Sequence, residues 1–455
     1  MRYDVGRFRR PMRRGAMEQL VSLISLGDGS TLTLDFTTGV LDPRLTFTRG
    51  STGTRINASG FVETMSNNVA RFDHDPTTLA PRGLLVEGQV ENLCQQGQYC
   101  WGTGATNTWA RSAEVHVNAV NGTAGASAVA RIDGPDGGSL TGTSLFKQAG
   151  TATFVRTNIN VAVAQSTTYT FSAYVRAPSG GNPYIRLAVF NGGTWLNTTG
   201  GTTASGITIT NNVGGGSRFN GVPSTAWVRI WVTFTTQVGQ TAATIALYPD
   251  TDTQNAATMY VWGGQVEAGS GPSSVIPTGA SQGTRNSDVC YITNTDYGFT
   301  TTGGTYFVEW ERGEYDNPTV AGSDCFPFST DYASGRWLAI FTTPGGTTTS
   351  AGSWSVAINQ TSTAVAGRNR AAVSYAGWNA TTTVTLSANG SSPTSNASMT
   401  LGTTPTYLMI GAASQTAPYN GVGLRDILGN RVRRLKYWPF VLPSATLQSI
   451  TVNTP

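Results

Sequence analysis

WGGQVEAGSGPSSVIPTGASQGTRNSDV, residues 262–289, is the stretch on which the reading of this chain turns. Met259-Tyr260-Val261-Trp262 alternates in the manner of a closing strand, Gln265-Val266-Glu267 continues it, and Gly269, Gly271 and Pro272 end it. Pro277, Gly279, Gly283 and their polar neighbours offer little apolar surface to bury, so the run is expected to cross the surface as a connector. Tyr291-Ile292 then begins a new series of strands.

Composition on either side agrees. At 455 residues the chain is long enough for two or three domains with cores of their own. Charged residues are only 12% and glycines number 55, with Thr, Ser, Asn and Ala between short apolar alternations, which predicts an all-β chain rich in turns. A helical period appears only briefly over residues 17–26, so little helix is expected. No apolar run approaches the ~20 residues of a membrane span. The apolar run at 20–26 follows basic residues but is short, and Gly27-Asp28-Gly29 is no cleavage pattern, so it reads as mature sequence.

The formal charge of +4 is unevenly placed. Residues 1–16 hold Arg2, Arg7, Arg9, Arg10, Arg13 and Arg14 against Asp4, six less one, or +5; the other 439 residues therefore carry −1. A nearly neutral body is not built to attract nucleic acid, and any basic function belongs to the arm.

Between 94 and 270 the expected strands lie near 113–117, 127–132, 153–161, 167–176, 184–190, 207–209, 227–235, 243–248 and 259–261, a set that suits a jelly-roll sandwich. Tyr169, Phe171, Ala173 and Val175 share one face of their strand, as do Val228, Ile230, Val232 and Phe234. Trp227, Trp231 and Trp262 read as core. Trp101, Trp109, Tyr184 and Trp195 are candidates for stacking on sugar rings, Trp195 because Gly and Asn flank it.

Four cysteines are too few for a disulfide scaffold; Cys94 and Cys100, and Cys290 and Cys325, are able to pair or to stay as buried thiols. Two histidines and no CxxC give a zinc site little support. Asp250 and Asp252 suit either a calcium-stiffened loop or an Asx-rich turn, so the metal question stays open, and no cofactor is expected. Asp73-His74-Asp75 precedes Pro76, which favours a turn with a capping carboxylate over catalysis.

Three motifs carry a resemblance. Phe47 to Arg55 (FTRGSTGTR), Ala70 to Pro76 (ARFDHDP) and Gly83 to Glu87 (GLLVE) together resemble a module common in tailed-phage tail and head-fibre proteins. Gln265-Val266-Glu267 followed by Ser274-Val275-Ile276-Pro277-Thr278 is similar to a connector in tailed-phage structural proteins. The 429–450 segment, GNRVRRLKYWPFVLPSATLQSI, resembles the close of concanavalin/laminin-G-like domains. The organisation implied is a basic N-terminal arm over 1–30, a virion-attachment module over 31–93, a jelly-roll carbohydrate-binding-module-like domain over 94–270, a linker over 271–289 and a concanavalin/laminin-G-like sandwich over 290–455.

What the resemblance implies is a structural component of a tailed-bacteriophage virion, a tail or head fibre or spike. It would be assembled in the host cytoplasm, displayed on the virion surface and, by family habit, trimeric. Arg7, Arg9, Arg10, Arg13 and Arg14 would anchor it to other virion proteins. Lectin-like rims bind through loops, and Asp331-Tyr332, Trp378-Asn379 and Tyr419-Asn420 are loop-like here, so host surface polysaccharide is the expected partner, with no membrane insertion and no specific nucleic acid. Arg431, Arg433, Arg434 and Lys436 are interleaved with apolar residues and read as a solvated sheet face, with a salt-dependent contact to acidic surface polysaccharide as the lesser option. A decoration protein without ligand is the first alternative. A polysaccharide depolymerase is the second: Glu309 and Glu311 share a strand face at roughly 7 Å, a pair such as glycosidases use. The chain is expected not to be an enzyme.

Overall fold

The computed structural model describes residues 27–95, 110–111, 115–117, 131–147, 157–180, 183–211, 216–249, 257–311, 325–330, 338–342, 349–353, 356–360, 367–378, 381–411 and 430–453. These residues are nearly all β and form two antiparallel sandwiches.

In the middle of the chain, one sheet runs in the order Thr199–Thr202, Val228–Thr235, Thr168–Arg176, Ala257–Ala268, Thr143–Lys147, Val115–Val117. The facing sheet runs Thr208–Thr210, Ser217–Asn220, Ile185–Asn191, Ala242–Tyr248, Thr157–Ala162, Ala110–Arg111, with Thr194–Trp195 turned back on Ile185–Asn191. The alternation sorts as the sequence predicts: Tyr169, Phe171, Val175, Val228, Ile230, Val232 and Phe234 meet Leu187, Val189, Ile245 and Leu247 in one core. Ala257–Ala268 is longer than its two sequence fragments suggest. It passes through a left-handed Gly263 at φ +66, beside a bulge opposite Ser172 to Tyr174, and so continues to Ala268.

The second sandwich is discontinuous. One sheet has the order Thr394–Thr400, Thr381–Ala388, Arg368–Tyr375, Gly304–Glu311, Asn430–Trp438, Pro81–Val86, Arg71–His74, with Leu32–Asp35 also on Asn430–Trp438. The other runs Thr46–Thr48, Val289–Thr293, Tyr407–Ile410, Cys325–Thr330, Ala339–Thr342, Thr349–Ser353, Val356–Gln360. Leu32, Leu34, Phe36, Phe47, Phe72, Leu84 and Val86 share a core with Tyr306, Trp310, Phe328, Leu386, Leu435 and Tyr437. The arrangement differs from the expected division into a separate 31–93 module and a 290–455 sandwich: strands from 31–93 complete the sheets of 290–455. The reason is that Leu32↔Tyr437 and Leu84↔Val432 are ladder partners, which lines one edge of the last long strand with early strands while Gly304–Glu311 takes the other.

The middle sandwich is thus an insertion, and its entry and exit lie side by side. Leu93 donates its N–H to the Val266 carbonyl at 2.8 Å, and Val90–Asn92 pairs with Gly283–Arg285. Ser444–Thr451 is a short helix whose Leu447 and Ile450 pack with Phe307, Ala372 and Trp438 on the outer face of the eight-stranded sheet. No helix of the described residues is long and apolar enough to cross a membrane.

Candidate functional site

The tailed-phage-like motifs converge at the junction between the sandwiches. Arg71, buried, donates from Nη1 to the Thr54 carbonyl (2.9 Å), Glu87 (2.7 Å) and Ser274 Oγ (2.8 Å), and pairs through Nη2 with Asp288. Arg49 reaches the other Asp288 oxygen at 3.0 Å and the carbonyls of Ser51, Ser66 and Val69. Glu87 accepts from the Ser274 amide (2.7 Å) and hydroxyl (2.6 Å) and faces Arg285 at 3.3 Å. Glu267 accepts from the Ser273 amide and hydroxyl and from Gln265. Arg229, on the middle sandwich, donates to the Ser273 carbonyl.

Four guanidiniums, Arg49, Arg71, Arg229 and Arg285, therefore surround Glu87, Glu267 and Asp288, all at most 2% exposed. Burial by itself raises the Glu87 carboxyl, but Arg285, Arg71 and the Ser274 hydrogen bonds outweigh it and hold that carboxyl well below the usual carboxylate range. Glu267 goes the other way: burial raises it more than Arg229 and Ser273 lower it. Burial lowers Arg71 too, but Asp288 and Glu87 reverse that and hold its proton more tightly than usual.

The connector is not a surface crossing. Gly271, Pro272, Ser273, Val275, Ile276 and Thr278 are buried. Ile276 N–H donates to Gln265 Oε1 at 2.7 Å, the Val275 carbonyl accepts from Thr54 Oγ1 at 2.6 Å, and Thr278 Oγ1 donates to the Cys94 carbonyl at 2.7 Å. Polar sequence was mistaken for exposure; here the backbone groups are satisfied by buried side chains instead of water. The adjoining cavity of about 50 Å³, lined in part by Thr54, Asp73, Glu87, Tyr174 and Arg229, is of a size for a water or two and not for a sugar ring.

Other candidates are dispersed. Trp378 is 5% exposed, edge-on to Phe299 and Tyr375, with its Nε1 donating to the Thr403 carbonyl at 3.0 Å. It is a core residue and not part of a binding rim: its Gly-rich setting looked loop-like, but its ring closes an aromatic cluster. Trp195 is half-buried, 4.1 Å from Phe190 and stacked on Tyr248 at 6.2 Å. It stands on the outer face of its sheet, since Phe190, Ala246 and Tyr248 form a cluster apart from the core. Tyr184 is exposed just before Ile185–Asn191. Trp101, Trp109, Asp331, Tyr332, Asn379, Tyr419, Asn420, Arg7, Arg9, Arg10, Arg13 and Arg14 lie outside the described residues, as do Asp250, Asp252 and Cys100.

Of the tryptophans expected in the core, Trp231 and Trp262 are buried, while Trp227 is half-buried at the sheet edge with Nε1 on the Asp133 carbonyl. Cys94 and Cys290 are buried free thiols; burial pushes Cys94 up to about 12 and Cys290 higher still. Asp75 accepts from the Thr77 and Thr78 amides, the capping turn the Asp-Pro step predicts. Asp73 receives Arg431 at 2.6 Å, so Arg431 is a buried partner rather than part of a solvated face. Among the described residues no group of three or more His, Cys, Asp or Glu is placed to hold a metal.

Glu309 and Glu311 do share a face, and arginines hold both. Glu309 lies within 3.5 Å of Arg368, Arg370, Arg433 and Arg434, and Glu311 accepts from Arg82 at 3.0 Å. An open, amide-lined cleft of about 330 Å³ lies on the middle sandwich, between Gln95, Asn158, Asn160 and Gln282; the sequence pattern singled out none of these four.

No family model and no curated protein matches this chain. Among solved structures it is similar to the CBM40 of Ruminococcus gnavus IT-sialidase at 12% identity and a TM-score of 0.25, covering 33% of this chain and 84% of that one. A CBM22-1-CBM22-2 tandem from Paenibacillus barcinonensis Xyn10C is 10% identical at a TM-score of 0.23, covering 77% and 98%. A leech intramolecular trans-sialidase is 13% identical at 0.27, covering 36% of this chain and 26% of that one. Likenesses of this depth carry no argument about function.

Proposed function

We propose that this chain is a non-enzymatic structural component of a tailed-bacteriophage virion, a tail or head fibre or spike that attaches through its N-terminal part and presents its sandwiches to host surface glycans. One observation carries the reading. The residues that make the motifs resemble tailed-phage proteins, Arg49, Arg71, Glu87, Gln265, Glu267 and Ser274, belong to one hydrogen-bonded cluster. The resemblance therefore falls on a coherent device for fixing one sandwich to another, which suits a protein that must hold display domains at a set angle. Attachment through Arg7, Arg9, Arg10, Arg13 and Arg14, and a trimeric assembly, belong to the same proposal.

Antibody raised against the recombinant chain, applied to purified phage from the source host and imaged by electron microscopy, should decorate particles at one place. Unlabelled particles, with the chain recovered only from the soluble lysate, would overturn the assignment. Glycan-array binding by the full chain without release of reducing sugar supports the display role, whereas sugar release would establish the depolymerase in its place. A decoration protein without ligand is favoured by the packing of Trp378 and Trp195 against neighbouring rings, and an array blank on every glycan would select it.

A further inference from the structure

Outside the core of the discontinuous sandwich, one sheet face gathers cations in a way a regular strand cannot. In Asn430–Trp438, Val432 and Leu435 point into the core, yet both residues between them point out. A register shift makes this possible: Glu309 pairs with Arg434 while Trp310 pairs with Val432, so Arg433 is the extra residue of a bulge. Arg433 and Arg434 thereby reach Glu309 from one side of Gly304–Glu311, while Arg368 and Arg370 reach it from the strand on the other side, so that all four surround one carboxylate, which is 1% exposed.

The surrounding charges do not cancel. Among the described residues the cations on this face are Arg82, Arg368, Arg370, Arg431, Arg433, Arg434 and Lys436. Five carboxylates, Asp28, Asp35, Asp73, Glu309 and Glu311, answer them. Arg433 has its proton affinity lowered first by burial and next by the charge of Arg368, so repulsion between cations persists despite Glu309. The most open members are Arg368 and Arg434, with side chains 43% exposed. The strands bearing Arg370 and Arg82 are three spacings apart, about 14 Å, which gives the patch the breadth of a polymer and not of a single ion.

We infer that this face binds an acidic polysaccharide through its carboxylates. Guanidiniums match carboxylates in fork geometry, and a flat sheet lets an extended chain lie across several of them. The choice of a polysaccharide over another polyanion rests on the glycan-contact reading above; the excess of cations does not.

The test uses the full chain with the six arm arginines changed to Gln, so that the arm contributes no affinity. Retention is measured on polygalacturonate, neutral dextran and poly-L-glutamate at low and high salt. Binding to polygalacturonate that fades with salt, none to dextran, and a loss of roughly tenfold in Arg368→Gln/Arg434→Gln at unchanged melting temperature are expected. Equal retention of variant and parent, or no retention at all, overturns the inference. Retention on poly-L-glutamate alone also overturns it and marks an acidic protein as the occupant. If the double variant melts early, Arg368→Gln alone is read in the same way. A chain that binds polygalacturonate but is absent from phage particles leaves this inference standing and removes the virion reading.

Discussion

Arginine does opposite work at the junction and on the outer sheet face. At the junction Arg71 and Arg285 are sealed, and each reaches two or more serine, carboxylate or carbonyl groups from different segments. On the outer face Arg368 makes one pair at 3.3 Å and leaves the rest of its guanidinium to solvent. A sealed charge is costly to desolvate and costlier to leave alone, so it fixes geometry; an exposed one is cheap and screened, so it is available to a partner. Tryptophan repeats the contrast, with Trp378 enclosed and Trp195 on a sheet surface.

The contrast breaks most severely at Arg71. Arg71→Met removes from buried Glu87 and Asp288 the one counter-charge they share, and a loss of roughly 3–5 kcal/mol is expected in urea denaturation; a loss under about 1 kcal/mol would mean the cluster does not fix the junction. Trp378→Ala opens a hole in the core at a similar scale, roughly 3–5 kcal/mol. Trp195→Ala, half-buried on an outer face, should cost only about 1–2 kcal/mol, and comparable losses at the two sites would erase the distinction between them.

Acid gives a smaller, graded effect. Glu87 has an ordinary value of 4.5 when unfolded and a depressed one when folded. Its contribution is therefore full above that value and drains away as pH falls toward the folded one. Glu267, raised by burial, has the reverse sign: its ionisation weakens the fold as pH climbs past its unfolded value. Urea midpoints measured from about pH 6 down to about pH 3 should fall in the parent and fall less in Glu87→Gln; parallel profiles would show that Glu87 is not the responsible group. The smallest effect is Arg368→Gln, within about 0.5 kcal/mol of the parent in thermal melts, since its side chain is largely open to solvent and three other arginines still hold Glu309.

How far the fold could be read from the sequence follows from range. Tyr169, Phe171, Val175 and the 228–234 alternation place their strands because period two is a local property. Nothing local tells Leu34 that its ladder partner is Leu435, so the sandwich built from both ends of the chain was out of reach. Burial of the 270–278 connector was hidden for a related reason: serines and glycines look solvated until Arg229, Arg285 and Glu87 are known to cover them. The charged residues of the motifs are plain in the sequence, but the insertion point they secure is not. Arg433 and Arg434 read with their neighbours as one alternating face, and only the bulge shows why both of these adjacent residues face outward.

The seat of Asn430–Trp438 has a consequence for how the polypeptide comes into being. A ribosome releases Leu32–Asp35 and Pro81–Val86 some 350–400 residues before the strand that joins them, whereas the inserted sandwich has every described strand by Ala268. The inserted unit is thus free to mature first, while the earlier segments wait, apolar side chains uncovered, until Asn430–Trp438 has been made. Truncation before Asn430 would accordingly spoil strands synthesised long before the cut.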